Sequence, residues 1–267
     1  MKIKKWTPYL SVFRLRAQLE TQYRAAALGG LITQAFVGIV LIYLYTALFD
    51  GSDPRMLQET VNYVWIQQMF FRMMFSTDGE LSNLILTGGV AYTMIRPVDQ
   101  HTYWLTREIA MRLVGALMRL LPMILLQFIL PAGLRMTLPD GPLGCLQFML
   151  SLLLGAVILA EISAVRDAIV MQTLDTRGIS AMINLIQMIF SGNIIPLTLF
   201  PDGVQTLIRF QPFAQALDAP IRMYLHAQPG PEWLLSLSVQ LGWILIISAL
   251  GRRMWARQLN RMVVQGG

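Results

Sequence analysis

Apolar residues gather in six long runs along this chain, with short polar joints between them. The runs cover residues 25–49, 56–76, 103–131, 143–165, 179–199 and 233–250. A helix rises 1.5 Å per residue and a bilayer's hydrocarbon core is about 30 Å thick, so one crossing takes roughly 20 residues. The pattern therefore predicts six transmembrane helices. In the third, Arg107, Glu108 and Arg112 occupy the first turns and the apolar part is residues 114–130. The joints carry turn residues: Asp50-Gly51-Ser52-Asp53-Pro54 after the first run and Asp140-Gly141-Pro142 before the fourth. Arg166, Asp167, Asp175 and Arg177 make the joint before the fifth.

Two runs depart from plain lipid-facing material. The second carries Glu59, Asn62, Gln67, Gln68 and Arg72. Polar side chains within a span usually face protein or water, so this run is expected to line a pathway or an interface. Glu59 and Arg72 also suit the two headgroup zones. In the fifth run, Asn184 and Gln187 are three apart and share a face. The run then breaks at Ser191-Gly192-Asn193-Ile194-Ile195-Pro196 while the chain is still apolar. Leu199-Phe200-Pro201-Asp202-Gly203, an amphipathic piece at 204–210, Gln211-Pro212-Phe213 and Ala219-Pro220 follow. Irregular backbone at membrane depth survives only where protein or water covers it. Residues 192–224 are thus expected to form a re-entrant or interfacial hairpin on the outer side. Asn62, Gln67, Gln68, Asn184, Gln187 and Asn193 are the candidate polar points of a pathway. Interhelix hydrogen bonding at a dimer interface explains them equally well.

The polar flanks predict two further elements. Residues 1–24 mix Lys2, Lys4, Lys5, Arg14, Arg16 and Arg24 with Trp6, Tyr9, Leu10, Phe13, Leu15, Leu19 and Tyr23, the composition of an interfacial helix. Thr77–His101 is the longest polar-punctuated interval between apolar runs. Gly79, Gly88 and Gly89 mark bends in it, and Leu81, Leu84, Ile85 and Leu86 can share one face of a short helix. Asp78 and Glu80 at the start of that helix suit its dipole. A helix of this kind fits a groove on another protein.

Composition sharpens the class. The 267 residues are 55% hydrophobic and 13% charged, against about 25% charged in a typical soluble domain. The net charge of +6 does not indicate nucleic-acid binding, because the basic residues flank apolar runs and form no basic face. The single cysteine, Cys145, excludes an intrachain disulfide and a cysteine-based zinc cluster, and reads as a small lipid- or core-facing residue. The basic start leads into an amphipathic segment and a first run long enough to span, unlike a cleavable signal peptide. With the N-terminus inside, the inner segments hold fifteen Lys and Arg residues and the outer segments four. That bias places both termini and Thr77–His101 in the cytoplasm.

Catalytic chemistry is not visible. His101 and His226 fall on opposite sides of the membrane and cannot share a metal, and His101 reads as a solvated loop residue. Gly88-Gly89 lacks the lysine and Ser/Thr of a phosphate-binding loop, so the chain is not expected to hydrolyse ATP alone. The 17 methionines, Met69, Met73 and Met74 among them, suit adaptable packing. No filter-like motif marks a channel. The carboxylates cluster at span ends, unlike the midplane carboxylates of ion-coupled transporters.

Two motif groups in this order resemble the membrane permeases of type-2 ABC exporters. The first is Gly79-Glu80-Leu81 followed by Ile95-Arg96-Pro97, similar to a Gly-Glu-Leu and Leu-Arg-Pro pair in a prokaryotic subfamily. The second is Ser191-Gly192, Ile195-Pro196-Leu197, Phe200-Pro201, Gln211-Pro212-Phe213 and Pro220. Gln211 stands where that subfamily suggests leucine. Gln265-Gly266-Gly267 resembles its tail. The resemblance covers nearly the whole chain as one all-α permease domain, 1–267. It implies a dimer, homo- or heteromeric, in the bacterial inner membrane. It also implies a separate ABC ATPase that binds the ATP and Mg, with no cofactor in this chain. That ATPase would dock on Asp78, Gly79, Glu80, Leu81, Leu84, Ile85, Arg96 and Pro97. The implied activity is outward movement of a hydrophobic or amphipathic substrate: peptide, drug or lipid. A membrane scaffold or sensor without a translocation path is the competing expectation.

Overall fold

The computed structural model describes residues 6–22, 24–48, 54–76, 78–139, 141–194, 196–197, 200–226 and 231–261. Lys2, Lys4, Lys5, Tyr23, the 50–53 turn, Thr77, Asp140, Ile195, Leu199 and Gln265-Gly266-Gly267 lie outside the described residues. Eleven α-helices follow in order: α1 (Thr7–Gln22), α2 (Arg24–Leu48), α3 (Pro54–Phe75), α4 (Gly79–Leu86), α5 (Val90–Met94), α6 (Gln100–Ile129), α7 (Gly141–Thr173), α8 (Thr176–Phe190), α9 (Asp202–Arg209), α10 (Pro212–Leu225) and α11 (Glu232–Arg261). A 3₁₀ turn at Ala132–Leu134 joins α6 to α7, and no strand occurs among the described residues. The protein is an all-α, polytopic membrane protein.

Four helical stretches among the described residues are long and apolar enough to cross a bilayer: Leu28–Leu48, Gln100–Ile129, Gly141–Thr173 and Trp233–Asn260. The other two expected spans differ, each for its own reason. α3 has 22 residues, enough for a crossing, but it is the most polar of the six. It is also the helix at the centre. Val64, Trp65, Ile66, Met69, Met73 and Met74 are all at most 2% exposed. Its polar side chains are spent inside the chain. Asn62 donates to Thr137 Oγ1 (2.8 Å), Gln58 to the Arg135 carbonyl (2.9 Å) and Trp65 Nε1 to the Leu134 carbonyl (2.7 Å). α8 ends at Phe190 instead of near residue 199. At 1.5 Å per residue its 15 residues rise roughly 22 Å, short of the hydrocarbon core. The turn after it needs Gly192, whose φ of +82° is strained for any L side chain.

Three helices run further than their apolar patterns suggest. α6 begins at Gln100, α7 continues to Thr173 and α11 to Arg261. Arg166 and Asp167, expected in a joint, lie within α7 and are buried. Together these extensions build a second core at the α4 end of the bundle. Leu81, Ile85, Val90, Tyr103, Trp104, Ala168, Val170, Met171 and Trp255 form it, with Tyr9 and Val12 of α1 against it. The main core, around α3, runs through Ile42, Phe148, Ile158 and Leu217.

α7 packs against both α10 and α11. Gly155 makes the α10 contact possible: a Cβ there would lie 2.5 Å from the Ala216 carbonyl oxygen. Gln240 of α11 locks the junction, donating to Ser151 Oγ (2.9 Å) and the Gln215 carbonyl (2.7 Å). Trp243 Nε1 donates to the Phe210 carbonyl at the α9–α10 joint (2.6 Å). Trp243 is eleven residues into α11, so that joint sits roughly 16 Å along it.

Candidate functional site: a helical hairpin on an ion-pair layer

The interval expected to couple to a partner folds as a short helical hairpin, α4 and α5. Asp78 is the N-cap of α4, and its side chain accepts from the Glu80 N–H at 3.2 Å. Such a cap contributes about 1 kcal/mol. Thr87 closes the helix: its N–H (3.0 Å) and its hydroxyl (2.8 Å) both donate to the Asn83 carbonyl. Gly88, at φ +73°, makes the reversal into α5. Gln100 then donates to the Thr93 carbonyl (2.7 Å), closing α5 onto α6.

Ionic contacts fasten the hairpin to the spans. Arg107 of α6 donates through Nε to Asp78 and through Nη2 to Glu80. Its guanidinium also lies over the Trp104 ring at 5.6 Å. The Asp78 N–H donates to Glu108 Oε1 at 3.0 Å. Glu108 pairs with Arg112 at 3.3 Å and Arg166 at 3.7 Å, and Arg166 with Asp167 at 2.7 Å. Arg112 reaches further, to the Met73 and Met74 carbonyls of α3 and to Ser163 Oγ (2.6 Å). Arg16 and Arg72 share Glu20, and Arg16 approaches Asp78 at 3.7 Å. Five arginines (16, 72, 107, 112 and 166) thus interleave with five carboxylates (20, 78, 80, 108 and 167). The layer connects α1, α3, α4, α6 and α7. Paired charges of this kind are the form in which a low-dielectric interior accepts ions.

The faces of the hairpin differ from the sequence expectation. Leu81 (1% exposed) and Ile85 (7%) point into the chain's own second core, and Leu84 is half-buried. The exposed apolar side chains are Leu86, Tyr92 and Ile95, the latter two each 78% exposed. Sequence reasoning did not single out Tyr92, and named Ile95 only within the Ile95-Arg96-Pro97 motif, not as a docking residue. The available signal was two large apolar residues in a polar interval just after a Gly-Gly bend. Arg96 donates to the Tyr103 hydroxyl at 2.7 Å and stacks on that ring, while Pro97 is exposed. His101, expected in solvent, is 2% exposed, 3.3 Å from Glu161 and edge-on to Trp255. It is buried because α6 starts before it and α11 extends to cover it.

Asp99 caps α6, accepting from the Thr102 N–H at 2.8 Å, and faces Arg252 of α11 at 3.6 Å. Burial pushes its carboxyl up. The Thr102 hydroxyl and N–H, with Arg252, outweigh that and hold it below the usual carboxylate value.

The six polar points expected in a pathway or subunit interface do not converge on one site, although Gln67 meets Asn193 and Asn184 and Gln187 line one small crevice. Gln67 donates to the Gly192 carbonyl (3.3 Å) and the Asn193 carbonyl, and Gln187 to the Met74 carbonyl. Gln68 is buried against Gly38 of α2. Asn184 is half-buried beside Arg112, Ser163 and Arg166, and Asn193 is half-buried in the turn after α8. Asn62 alone borders a large opening. That cavity, about 540 Å³, lies at the end of α3 away from α4, between Arg55, Glu59, Thr137, Tyr224 and His226. No cluster of three or more His, Cys, Asp or Glu residues suited to a metal occurs among the described residues.

A family model described as ABC-2 family transporter protein matches residues 30–266. That is most of the chain. The chain belongs to the ABC-2 transporter family. It is accordingly the membrane component, a permease subunit, of an ABC transporter, and the family implies an ABC ATPase as partner. A search of curated proteins finds no match. Within this ABC-2 permease, α4–α5 is an exposed apolar tip on an ion-paired base.

Proposed function

We propose that this ABC-2 permease couples ATP hydrolysis in its ATPase partner to outward movement of a hydrophobic or amphipathic substrate, and that the α4–α5 hairpin receives the force. The observation that carries this reading is the combination of an exposed tip with a buried root. Tyr92, Ile95 and Leu86 offer about the kind of apolar knob that fills a groove. Arg107, bonded to Asp78 and Glu80, makes any displacement of that knob a displacement of α6. Glu108, Arg112 and Arg166 carry it on to α7 and α3.

The same reading has the α4 end in the cytoplasm of a bacterial inner membrane, with both termini inside, six crossings and two permeases per transporter. The fifteen-to-four excess of Lys and Arg supports the orientation. α3 then crosses as a protein-sheathed helix, and α8 with the turn after it makes the fifth crossing. The α9–α10 hairpin enters from the outside to roughly half depth, which the Trp243–Phe210 contact supports. The 540 Å³ cavity around Asn62 and His226 is its outer mouth.

Capture of the ATPase tests the central point. The full chain, purified with its ATPase co-expressed, retains it, and Tyr92→Ala with Ile95→Asp releases it while the permease still inserts and melts normally. Undiminished ATPase retention and transport in that double variant would remove α5 from the coupling surface. Absence of any ATPase from the wild-type preparation would favour a scaffold or sensor.

A further inference from the structure

Arginines 16, 72 and 119 converge where α1, α2, α3 and α6 meet, and one carboxylate serves them. Glu20 gives one oxygen to Arg16 (2.9 Å) and the other to Arg72. The Asp78 oxygen 3.7 Å from Arg16 is already bonded to Arg107. Arg119 has no carboxylate within ion-pair distance among the described residues. Its one hydrogen bond there is to Gln34 Oε1 at 3.0 Å, and its buried Nε has no partner. Positive charge is therefore in excess at this point.

The guanidiniums sit in places cut for them. A Cβ on Gly30 of α2 would lie 2.9 Å from Arg119 Cζ, and a Cβ on Gly115 of α6 would lie 2.8 Å from Arg72 Nε. Gln34, one turn beyond Gly30, is 6% exposed and turns its amide oxygen to Arg119. The groove is not sealed. The Arg72 side chain is 33% exposed and Arg119 is half-buried.

Depth identifies the environment. Arg119 lies ten residues from the outer end of α6 at Ile129, roughly 15 Å. Helical side chains tilt toward the helix N-terminus, here the α4 end, and the Arg119 head reaches Gly30, only six residues into α2. The long stem thus carries its charge from mid-bundle toward the inner headgroup zone. A guanidinium there favours an anion with several oxygens, which it can meet bidentately. A phosphodiester of the surrounding leaflet is the anion that depth supplies, and basic pockets between helices on the cytoplasmic side suit anionic lipid headgroups.

We propose that this groove binds the phosphate of an anionic phospholipid in the inner leaflet, with Arg72 and Arg119 as its ligands, Gly30 and Gly115 giving them room and Gln34 orienting Arg119. The assignment to the inner leaflet rests on the orientation proposed above; binding itself does not depend on orientation, ATPase or transport.

The test uses the full chain delipidated in a neutral detergent, with lipid retention read by native mass spectrometry and melting temperature alongside. Phosphatidylglycerol should be retained and should raise the melting temperature, while phosphatidylcholine and millimolar inorganic phosphate should do neither. Arg119→Gln should weaken phosphatidylglycerol retention by about tenfold, the loss of one charge-assisted contact. Arg253→Gln, at an exposed position on α11, should leave it unchanged. If Arg119→Gln does not fold, Arg119→Lys decides: it keeps the charge but not the bidentate geometry, so retention should fall several-fold. Equal retention of the two lipids, equal stabilisation by free phosphate, or wild-type retention in the folded Arg119 variant would each overturn the proposal. Side-specific labelling of the two bundle ends separately tests the leaflet.

Discussion

Arg107 donates through Nε to the Asp78 carboxylate, and this contact joins the N-cap of the α4 helix to the α6 span. Both side chains are about 5% exposed. Removing one partner of a buried pair leaves an uncompensated charge and costs about 3–5 kcal/mol. Arg107→Gln should therefore lower the melting temperature of the detergent-purified permease and abolish transport. Asp78→Asn added to it should restore part of the stability, since asparagine still caps α4, but not transport. Full recovery of transport in the double variant would show that the ion pair is dispensable for coupling.

Two neighbouring apolar positions should behave in opposite ways. Leu81 is buried in the second core, so Leu81→Ala should cost about 2–5 kcal/mol of stability. Tyr92 is 78% exposed, so Tyr92→Ala should change stability by less than about 0.5 kcal/mol and reduce ATPase capture. Paired melts and pull-downs separate the two effects. A large melting shift for Tyr92→Ala would mean that its side chain packs within the permease.

The contrast shows what the sequence made legible. The existence of the hairpin, its acidic start and the bends at Gly88 and Gly89 follow from local chemistry. Which face of α4 meets a partner does not, because Leu81 and Ile85 are claimed by Trp104 and Trp255, residues whose proximity is tertiary. The ends of α7 and α11 were hidden for a related reason. Charged residues such as Arg166 and Asp167 read as a joint until their partners on α6 are known. The bounds of α2, set by hydrophobic length alone, fell within two residues of expectation. The polarity of α3 correctly signalled contact with protein, yet Gln67 and Gln187 turn out to bond backbone carbonyls within the chain.

Gly155 tests the seating of the α9–α10 hairpin. With 2.5 Å between a Cβ there and the Ala216 carbonyl oxygen, backbone must move to admit even alanine. Overpacking of this kind costs about 1–3 kcal/mol. Gly155→Ala should lower the melting temperature, and Gly155→Leu should displace α10 enough to break the Gln240–Gln215 bond. An engineered cysteine pair between α7 and α10 would report the displacement. Unchanged crosslinking and stability in Gly155→Leu would mean that α10 is not held against α7 at this point.

Asp99 gives a dependence on pH whose sign is fixed. Its folded-state affinity for a proton is depressed by Thr102 and Arg252 despite partial burial. The stability it contributes is therefore fully present above the unfolded carboxylate value, about 3.9, and is lost as pH falls through the lower folded value. Half the side chain is exposed, so the effect is modest and screened by salt. Asp99→Asn keeps a cap but loses the charge facing Arg252. The melting-temperature difference between wild type and Asp99→Asn should stay level from pH 8 to about pH 5 and shrink below about pH 4. A difference that grew on acidification would show that the carboxylate, rather than its protonated form, is disfavoured at the α6 start, contrary to the Thr102 and Arg252 contacts.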